Sequence, residues 1–392
     1  MAGGQGPIMQ WLLESGEPAA VWVTLTRLQG RPESDPQVMA ARRTVLGDAG
    51  TRELVSRLPD WEVDNNLSGH HSPGFAPNLL LLLNQMGVGT RDEPRVERLL
   101  DQMLAHQDED GHFQSFGRSG HGAAGREAEP RWSSLLCDHH AILESLLRFG
   151  RAGDPRTQRG LTAMLADAAP TAQGLAWPCR PEPVSGFRGP GRKADFCPQV
   201  TLEALRVGTL VARRAGRSAA SGASNTSAGE PGRPDTAARP EMVTAARVLV
   251  RAWRRRSDEK PYLFGHGIHF KTVKWPTFWY DISAVLDAIA DYPEVWRPGE
   301  GETADRRAVA EMAACLIAYN LDSDGRVTPR SCYKGFESFS FGQKKRPSAF
   351  ATARLASILR RLEAIADDIS SVDVTSLASS KGGSGRALPP AH

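Results

Sequence analysis

Apolar residues recur along this chain with the spacing of one face of an α-helix, and the same pattern appears six times. In the clearest copies, leucine or isoleucine stands five and eight residues after the first position, and a small residue stands seven residues after it. Positions at this spacing share one side of a helix. We therefore predict six related apolar helices, whose first positions are Pro18, Phe75, Asp138, Cys197, Asp281 and Phe350.

A second kind of segment, charged and amphipathic, lies between successive apolar helices. These segments are residues 35–47, 92–107, 154–167, 241–253 and 305–319. Most begin with an acidic residue, often next to proline, as helix N-termini do, because a carboxylate complements the helix dipole there. A period of about 60 residues with two helices in each unit is typical of an array of helical hairpins. The pattern predicts an all-α fold, with six hairpins closing into an α/α toroid that has an inner apolar ring and an outer charged ring.

Composition sets the boundaries of this domain. The 392 residues are 40% hydrophobic and 24% charged, which is enough for one large core. Two segments rich in Ser, Gly, Ala and Pro cannot bury apolar area. We predict a single domain over residues 1–369, with a disordered insertion at about 215–240 and a disordered tail over 370–392.

Charge and cysteine content narrow the function classes. The net charge of +3 is too small to indicate nucleic-acid binding. Five cysteines, an odd number, are expected to be free thiols or ligands. The longest apolar run, Leu79 to Leu83, is too short to span a membrane, and the first residues do not resemble a secretion signal. A cytoplasmic location is expected.

Candidate chemistry collects at the predicted starts of the apolar helices, because all the loops that enter an inner ring open at one rim. Asp138, Cys197 and Asp281 occupy the same repeat position, and Tyr280 precedes the last of them. We take these four as candidate catalytic residues. The rim loops add the candidate substrate-binding residues Arg188, Arg192, Lys193, Lys271, Lys274, Lys344, Lys345, Trp132, Trp275 and Trp279.

Two chemistries suit such a rim. The basic residues, here called the collar, are suited to a phosphate or carboxylate, since arginine offers forked hydrogen bonds and lysine a point charge. Asp138, Cys197, Asp281 and His269 form a candidate zinc set of the usual ligand types, although no two of them have a diagnostic short spacing. Without a metal, two carboxylates could act as acid and base. The ordinary alternatives are helix caps for the aspartates and a packed apolar side chain for the cysteine.

Short motifs add a resemblance to known families. The turn HQDEDGHF at 106–113 resembles the recurrent Q-x-x-x-G-x-W/F turn of terpenoid cyclases and protein prenyltransferase β subunits, and LDSDGRVTP at 321–329 is a weaker copy. A closer resemblance is to uncharacterised bacterial proteins with prenyltransferase or squalene-oxidase repeats. It is carried by LLCD, WPC, FRGPGRK, KPYLFG, FWYDI and FGQKK.

The resemblance implies a toroid with a central cavity and a small-molecule substrate such as a prenyl diphosphate. Two departures bear on activity: the DxDD motif of class II cyclases is absent, and the candidate zinc ligands come from three different repeats. We expect an enzyme, of transferase or cyclase type, that acts on an isoprenoid or another amphipathic substrate with an anionic head. A carbohydrate-active toroid using Asp138 and Asp281, and a binding module without catalysis, remain alternatives. A deep apolar cavity would favour the isoprenoid enzyme, and an open groove with two carboxylates would favour the carbohydrate-active enzyme. A plugged ring would favour the binding module.

Overall fold

Helices dominate the structure, a computed structural model that describes residues 6–63, 72–89, 92–117, 129–181, 194–220, 239–259 and 265–378. The helices of the first half are α1 (Gly6–Glu14), α2 (Pro18–Val23, continued by a π-helical turn Thr24–Leu28), α3 (Pro36–Gly47), α4 (Ala49–Ser56), α5 (Ala76–Met86), α6 (Pro94–Ala105), α7 (Leu136–Arg148) and α8 (Pro155–Ala166). Those of the second half are α9 (Pro198–Ala220), α10 (Arg239–Arg254), α11 (Ile268–Lys271), α12 (Ile282–Ile289), α13 (Pro293–Trp296), α14 (Thr303–Asn320), α15 (Ala349–Arg361) and α16 (Ala366–Ser370). The prediction of an all-α protein is confirmed.

Strands are confined to short ladders beside the helices. Two are antiparallel, β1 (Ser115–Gly117) with β2 (Arg131–Ser133) and β3 (Ala169–Thr171) with β4 (Gly174–Ala176); the third is parallel, β5 (Lys274–Trp275) with β6 (Ser331–Cys332). Short 3₁₀ turns cover Arg151–Gly153, Ser340–Gly342, Glu363–Ile365 and Val374–Ala378.

The six apolar helices begin where the repeat predicts. Helices α2, α5, α7, α9, α12 and α15 all start within two residues of the predicted position. Local chemistry explains three of these starts: Pro198 opens α9, Asp281 accepts the backbone N–H of Ala284 at the start of α12, and Ser348 accepts that of Ala351 at the start of α15.

The charged segments are also helical, as predicted, and form α3, α6, α8, α10 and α14. Asp35 and Asp154 cap α3 and α8 by accepting backbone N–H groups within the first turn, and proline follows each of them. The acid-plus-proline signal therefore marked true helix starts.

Contacts among the apolar helices return to their starting point. Helix α2 packs against α5, α5 against α7, α7 against α9, α9 against α12, α12 against α15, and α15 against α2. Charged helices pack against the apolar ones, for example α3 on α2, α8 on α7 and α14 on α12.

One carboxylate joins the beginning of the chain to the last apolar helix. Glu17, the residue before α2, accepts hydrogen bonds from the backbone N–H groups of Ala349 and Phe350, at 3.3 and 3.1 Å, and from the hydroxyl of Ser340 at 2.8 Å. A negative charge at a helix N-terminus stabilises the helix through its dipole. The two ends of the repeat array are thus held by a specific charged contact.

The turn at 106–113 has a structural role. The side-chain amide of Gln107 donates at 2.8 Å to the carbonyls of Gly111, in the same turn, and Arg156, in the first turn of α8. Gly111 has a φ of 97°, a left-handed conformation that favours glycine. The turn therefore fastens one hairpin to the next.

The helices extend into both segments predicted to be disordered. Helix α9 continues to Ala220 and α10 starts at Arg239, so the described ends of the insertion are helical. At the tail, the 3₁₀ turn Val374–Ala378 packs back on the domain, where the Leu377 carbonyl accepts a hydrogen bond from Lys271. Among the described residues, no helix is long and apolar enough to cross a membrane.

Candidate functional site

A polar cavity lies among the six apolar helices. Its volume is about 90 Å³. Two smaller cavities, of about 20 and 10 Å³, adjoin the same Arg148 and Arg206 side chains. The largest of the three is lined, within the described part of the chain, by Arg27, Arg148, Arg206, Arg213, Arg354 and Arg361, together with Asp287 and Asp291.

Glu144 fixes two of these arginines. Its buried carboxylate is 2.7 Å from the guanidinium of Arg148 on its own helix and 2.7 Å from that of Arg206 on α9. Burial opposes ionisation of Glu144, but the two guanidiniums outweigh burial and lower its pKa. The three groups form a charged clamp between α7 and α9 with one positive charge in excess.

Asp287 and Asp291 hold three further arginines. Asp287 pairs with Arg354 at 3.3 Å and with Arg361, whose guanidinium also lies 3.2 Å from Asp291. Asp291 in turn pairs with Arg213 at 2.6 Å. Burial would raise the pKa of Asp287, yet Arg361 and Arg354 lower it strongly. Both aspartates are therefore committed to ion pairs.

Arg27 leaves positive charge at this cavity uncompensated. No hydrogen bond or ion pair of its side chain is found within the described residues. The residue is exposed by its solvent-accessible surface, so its charged end is only partly desolvated. That partial desolvation, followed by repulsion from Arg213 and Arg354, lowers its pKa to about 10. An anion placed among these guanidiniums would relieve their mutual repulsion.

A second carboxyl group, Glu203, behaves in the opposite way from Glu144. It is 3% exposed, and Gln199 donates to one of its oxygens at 2.7 Å. The other oxygen, Oε2, has no partner in the described structure, and neither has Oε1 of Gln199; both residues line the smallest cavity. Burial raises the pKa of Glu203 well above 4.5. Two carboxyl groups near Arg206 thus differ, one ionised and one neutral.

Replacing Glu203 by glutamine is expected to stabilise the protein at neutral pH. In the folded state Glu203 stays protonated, while in the unfolded state its carboxyl group ionises above about pH 4.5. The free energy of unfolding therefore falls as pH rises from about 4.5 towards the raised pKa of the folded state. Glutamine removes this loss and retains a hydrogen bond to Gln199. Urea unfolding at pH 7 and pH 4 measures it. The variant should be more stable than the parent protein at pH 7 and about equally stable at pH 4. An equal gain in stability at both pH values would contradict a neutral Glu203.

The three predicted rim residues have mainly local partners. Asp138, fully buried in the first turn of α7, accepts a hydrogen bond from the Cys137 thiol at 3.8 Å. The Cys197 thiol is hydrogen-bonded to Cys179, and this bond, followed by burial, raises its pKa. Asp281 accepts the Ser283 hydroxyl at 2.7 Å and the Ala284 N–H at 2.9 Å, and burial raises its pKa to about 6.

The predicted zinc set is not formed. Asp138, Cys197, Asp281 and His269 are all described, and no group of three or more His, Cys, Asp or Glu side chains in the described residues is placed to hold a metal ion. His269 is exposed. Two of the four proposed ligands have other partners, since Oδ1 of Asp281 caps α12 and the Cys197 thiol is hydrogen-bonded to Cys179.

The structure describes four of the seven collar residues. Lys271 is buried and donates to the Leu377 carbonyl at 3.0 Å, while the Lys274 ammonium lies 3.8 Å from the centre of the Tyr333 ring. Lys344 and Lys345 are exposed. The remaining collar residues lie outside the described residues: Arg188, Arg192 and Lys193.

The aromatic candidates divide between packing and the cavity wall. The Tyr280 hydroxyl is 3.1 Å from Nε2 of His266, and burial raises its pKa. Trp132 stacks on His106 with ring centres 3.3 Å apart, and Trp279 is half-buried. Trp275 is buried and lines the 20 Å³ cavity. Of the predicted residues that the structure describes, Trp275 is the one that lines any of the three cavities.

Three residues that line the cavities share a sequence pattern, which the choice of candidates at the helix starts did not include. Counting six residues from Asp138, Cys197 and Asp281 gives an acidic residue in every case: Glu144, Glu203 and Asp287. An acid at the same place in three helices that are otherwise apolar there indicates a shared buried polar site, because unpaired buried charges are costly.

Comparison of this chain with protein-family models, with curated proteins and with solved structures finds no match. The resemblance to terpenoid cyclases and prenyltransferases therefore stays a prediction.

Proposed function

We propose that the six apolar helices form the inner ring of an α/α toroid, and that the arginine-lined cavity on its axis binds an oxyanion of phosphate type. The closed series of contacts from α2 to α15 and back supports the ring. Six arginines line the cavity against three carboxylates, Asp287 and Asp291 in its wall and Glu144 beside Arg148 and Arg206, and this excess of positive charge supports the ligand. Arginine forks match phosphate oxygens, and partial burial strengthens the attraction.

The observation that carries this proposal is the position of Arg27. Repulsion of its guanidinium by Arg213 and Arg354 outweighs the attraction of Asp287, and no carboxylate of the described chain forms an ion pair with it. A cationic group kept against like charges raises the energy of the empty site, and an anion recovers that energy on binding. We therefore assign the anionic head expected for the substrate to the cavity on the axis of the proposed ring, and not to the rim loops.

The same cavities argue for a small, hydrophilic ligand. The walls of all three contain charged residues, and the two deeper cavities have volumes of about 20 and 10 Å³. An isoprenoid tail needs a long apolar channel, which these cavities do not provide. The carbohydrate alternative loses support because Asp281 is engaged in capping α12. Binding is the proposed function, and catalysis on the bound ligand stays a prediction.

Replacing Arg27 by glutamine is expected to weaken pyrophosphate binding about tenfold, the effect of one partly exposed hydrogen bond to a charged group. Titration calorimetry with phosphate and pyrophosphate measures it. Arg307→Gln, which removes the same charge from a side chain that is 81% exposed, is the matched control and should bind as the parent does. The proposal fails if neither anion binds at millimolar concentration, or if Arg27→Gln and Arg307→Gln bind equally well.

A further inference from the structure

The smallest cavity contains two buried polar atoms without partners in the described structure. They are Oε1 of Gln199 and Oε2 of Glu203, which stand one helical turn apart on α9. These residues are 2% and 3% exposed. Buried polar atoms are nearly always hydrogen-bonded, and each orphan costs free energy. Two orphans in the wall of one cavity indicate a group that is bound there.

The chemistry of the two atoms selects the group. Because burial keeps Glu203 neutral, the carboxyl group has an O–H, and its unpartnered oxygen can direct that hydrogen into the cavity. The amide oxygen of Gln199 is an acceptor. A hydroxyl group satisfies both, since it accepts one hydrogen bond and donates another. A methyl group satisfies neither, and an ammonium group can only donate.

Position links this pair to the anion. Arg206 follows Glu203 by three residues, about 4.5 Å along the helix axis. Arg206 and Arg148 line both the smallest cavity and the 90 Å³ cavity. The smallest cavity, at about 10 Å³, has room for one group of the size of water. A hydroxyl on a carbon close to the anionic group therefore fits where a longer substituent does not.

We propose that Gln199 and Glu203 form a hydroxyl subsite, so that the ligand of the arginine cavity is a small hydroxylated phosphate ester. This inference rests on the proposed anion site. Glu203 is here a specificity residue, since a ligand without the hydroxyl leaves two buried polar atoms unpaired.

The test compares two ligands that share a phosphate ester and a three-carbon chain, glycerol 3-phosphate with hydroxyls and propyl phosphate without them. Calorimetry on the full chain is expected to show about tenfold tighter binding of glycerol 3-phosphate. In Glu203→Leu the two ligands should bind equally. Arg27→Gln should weaken both by the same factor, because it acts on the phosphate alone.

The outcomes separate the two proposals. Equal binding of both ligands by the parent protein overturns the hydroxyl subsite and leaves the anion site in place. Binding of neither ligand overturns the anion site. The comparison in the parent protein decides the matter even if Glu203→Leu does not fold, and Gln199→Leu then supplies the second variant, with the same loss of discrimination expected.

Discussion

The replacement of Asp287 by asparagine is expected to lower the free energy of unfolding by about 2 to 3 kcal/mol. Removing one member of a fully buried ion pair costs about 3 to 5 kcal/mol, and the Asp287 side chain is 31% exposed, so the effect is smaller. The physical reason is that Arg354 and Arg361 lose their shared partner among other guanidiniums. Urea unfolding at pH 7 in phosphate-free buffer measures it.

Glu300→Gln provides the control for this prediction. Glu300 pairs with Arg297 at 3.4 Å on the surface, where an ion pair contributes at most about 1 kcal/mol.

The pKa of Asp287 is lowered in the folded state, so the contribution of Asp287 to stability is present above about pH 3.8 and disappears as pH falls further. Pyrophosphate should stabilise Asp287→Asn more than the parent. A loss no larger than that of the control would contradict the ion-pair network.

Gly342→Ala is the second change with a large expected effect. A Cβ at this position would overlap the carbonyl oxygen of Phe336, which is backbone and cannot rotate away. The segment also holds Phe341 against Phe350 in α15, with ring centres 5.2 Å apart. Relief of the clash must move the segment that covers the start of the last apolar helix, and we expect a loss of about 4 kcal/mol or more.

Gly265→Ala is the matched control, because a Cβ there meets no atom of the described residues within 4 Å. Thermal unfolding should leave this variant near the parent while Gly342→Ala melts much earlier. Similar melting temperatures for the two variants would show that the close approach of residues 336 and 342 is not a feature of the folded protein.

Much of the fold could be predicted because its signals are local. Asp35 and Asp154 stand before proline and cap their helices, and Asp281 does so without proline. Each of these starts depends on residues within one turn, together with an apolar stripe that repeats at a fixed spacing. Six starts could therefore be placed from the amino-acid sequence within two residues.

The candidate site could not be predicted in the same way, because its pairs join residues that are far apart in the chain. Arg206 reaches Glu144 on a neighbouring helix, and Arg361 reaches Asp287, 74 residues before it. Periodicity shows which face a residue occupies but not which partner an arginine selects. For Asp281 the sequence left two roles open, a helix cap and a catalytic or metal-binding group, and in the structure its Oδ1 caps α12.

The hydrogen bonds of Glu17 to Ala349 and Phe350 cannot form until nearly the whole chain has been synthesised. Residue 350 leaves the ribosome 333 residues after residue 17, which at 5 to 20 residues per second is roughly 15 to 70 seconds later. During that interval α2 has no α15 to pack against, and its buried Trp22 and Val23 lack part of their cover. The nascent protein is thus expected to depend on chaperones until α15 is translated.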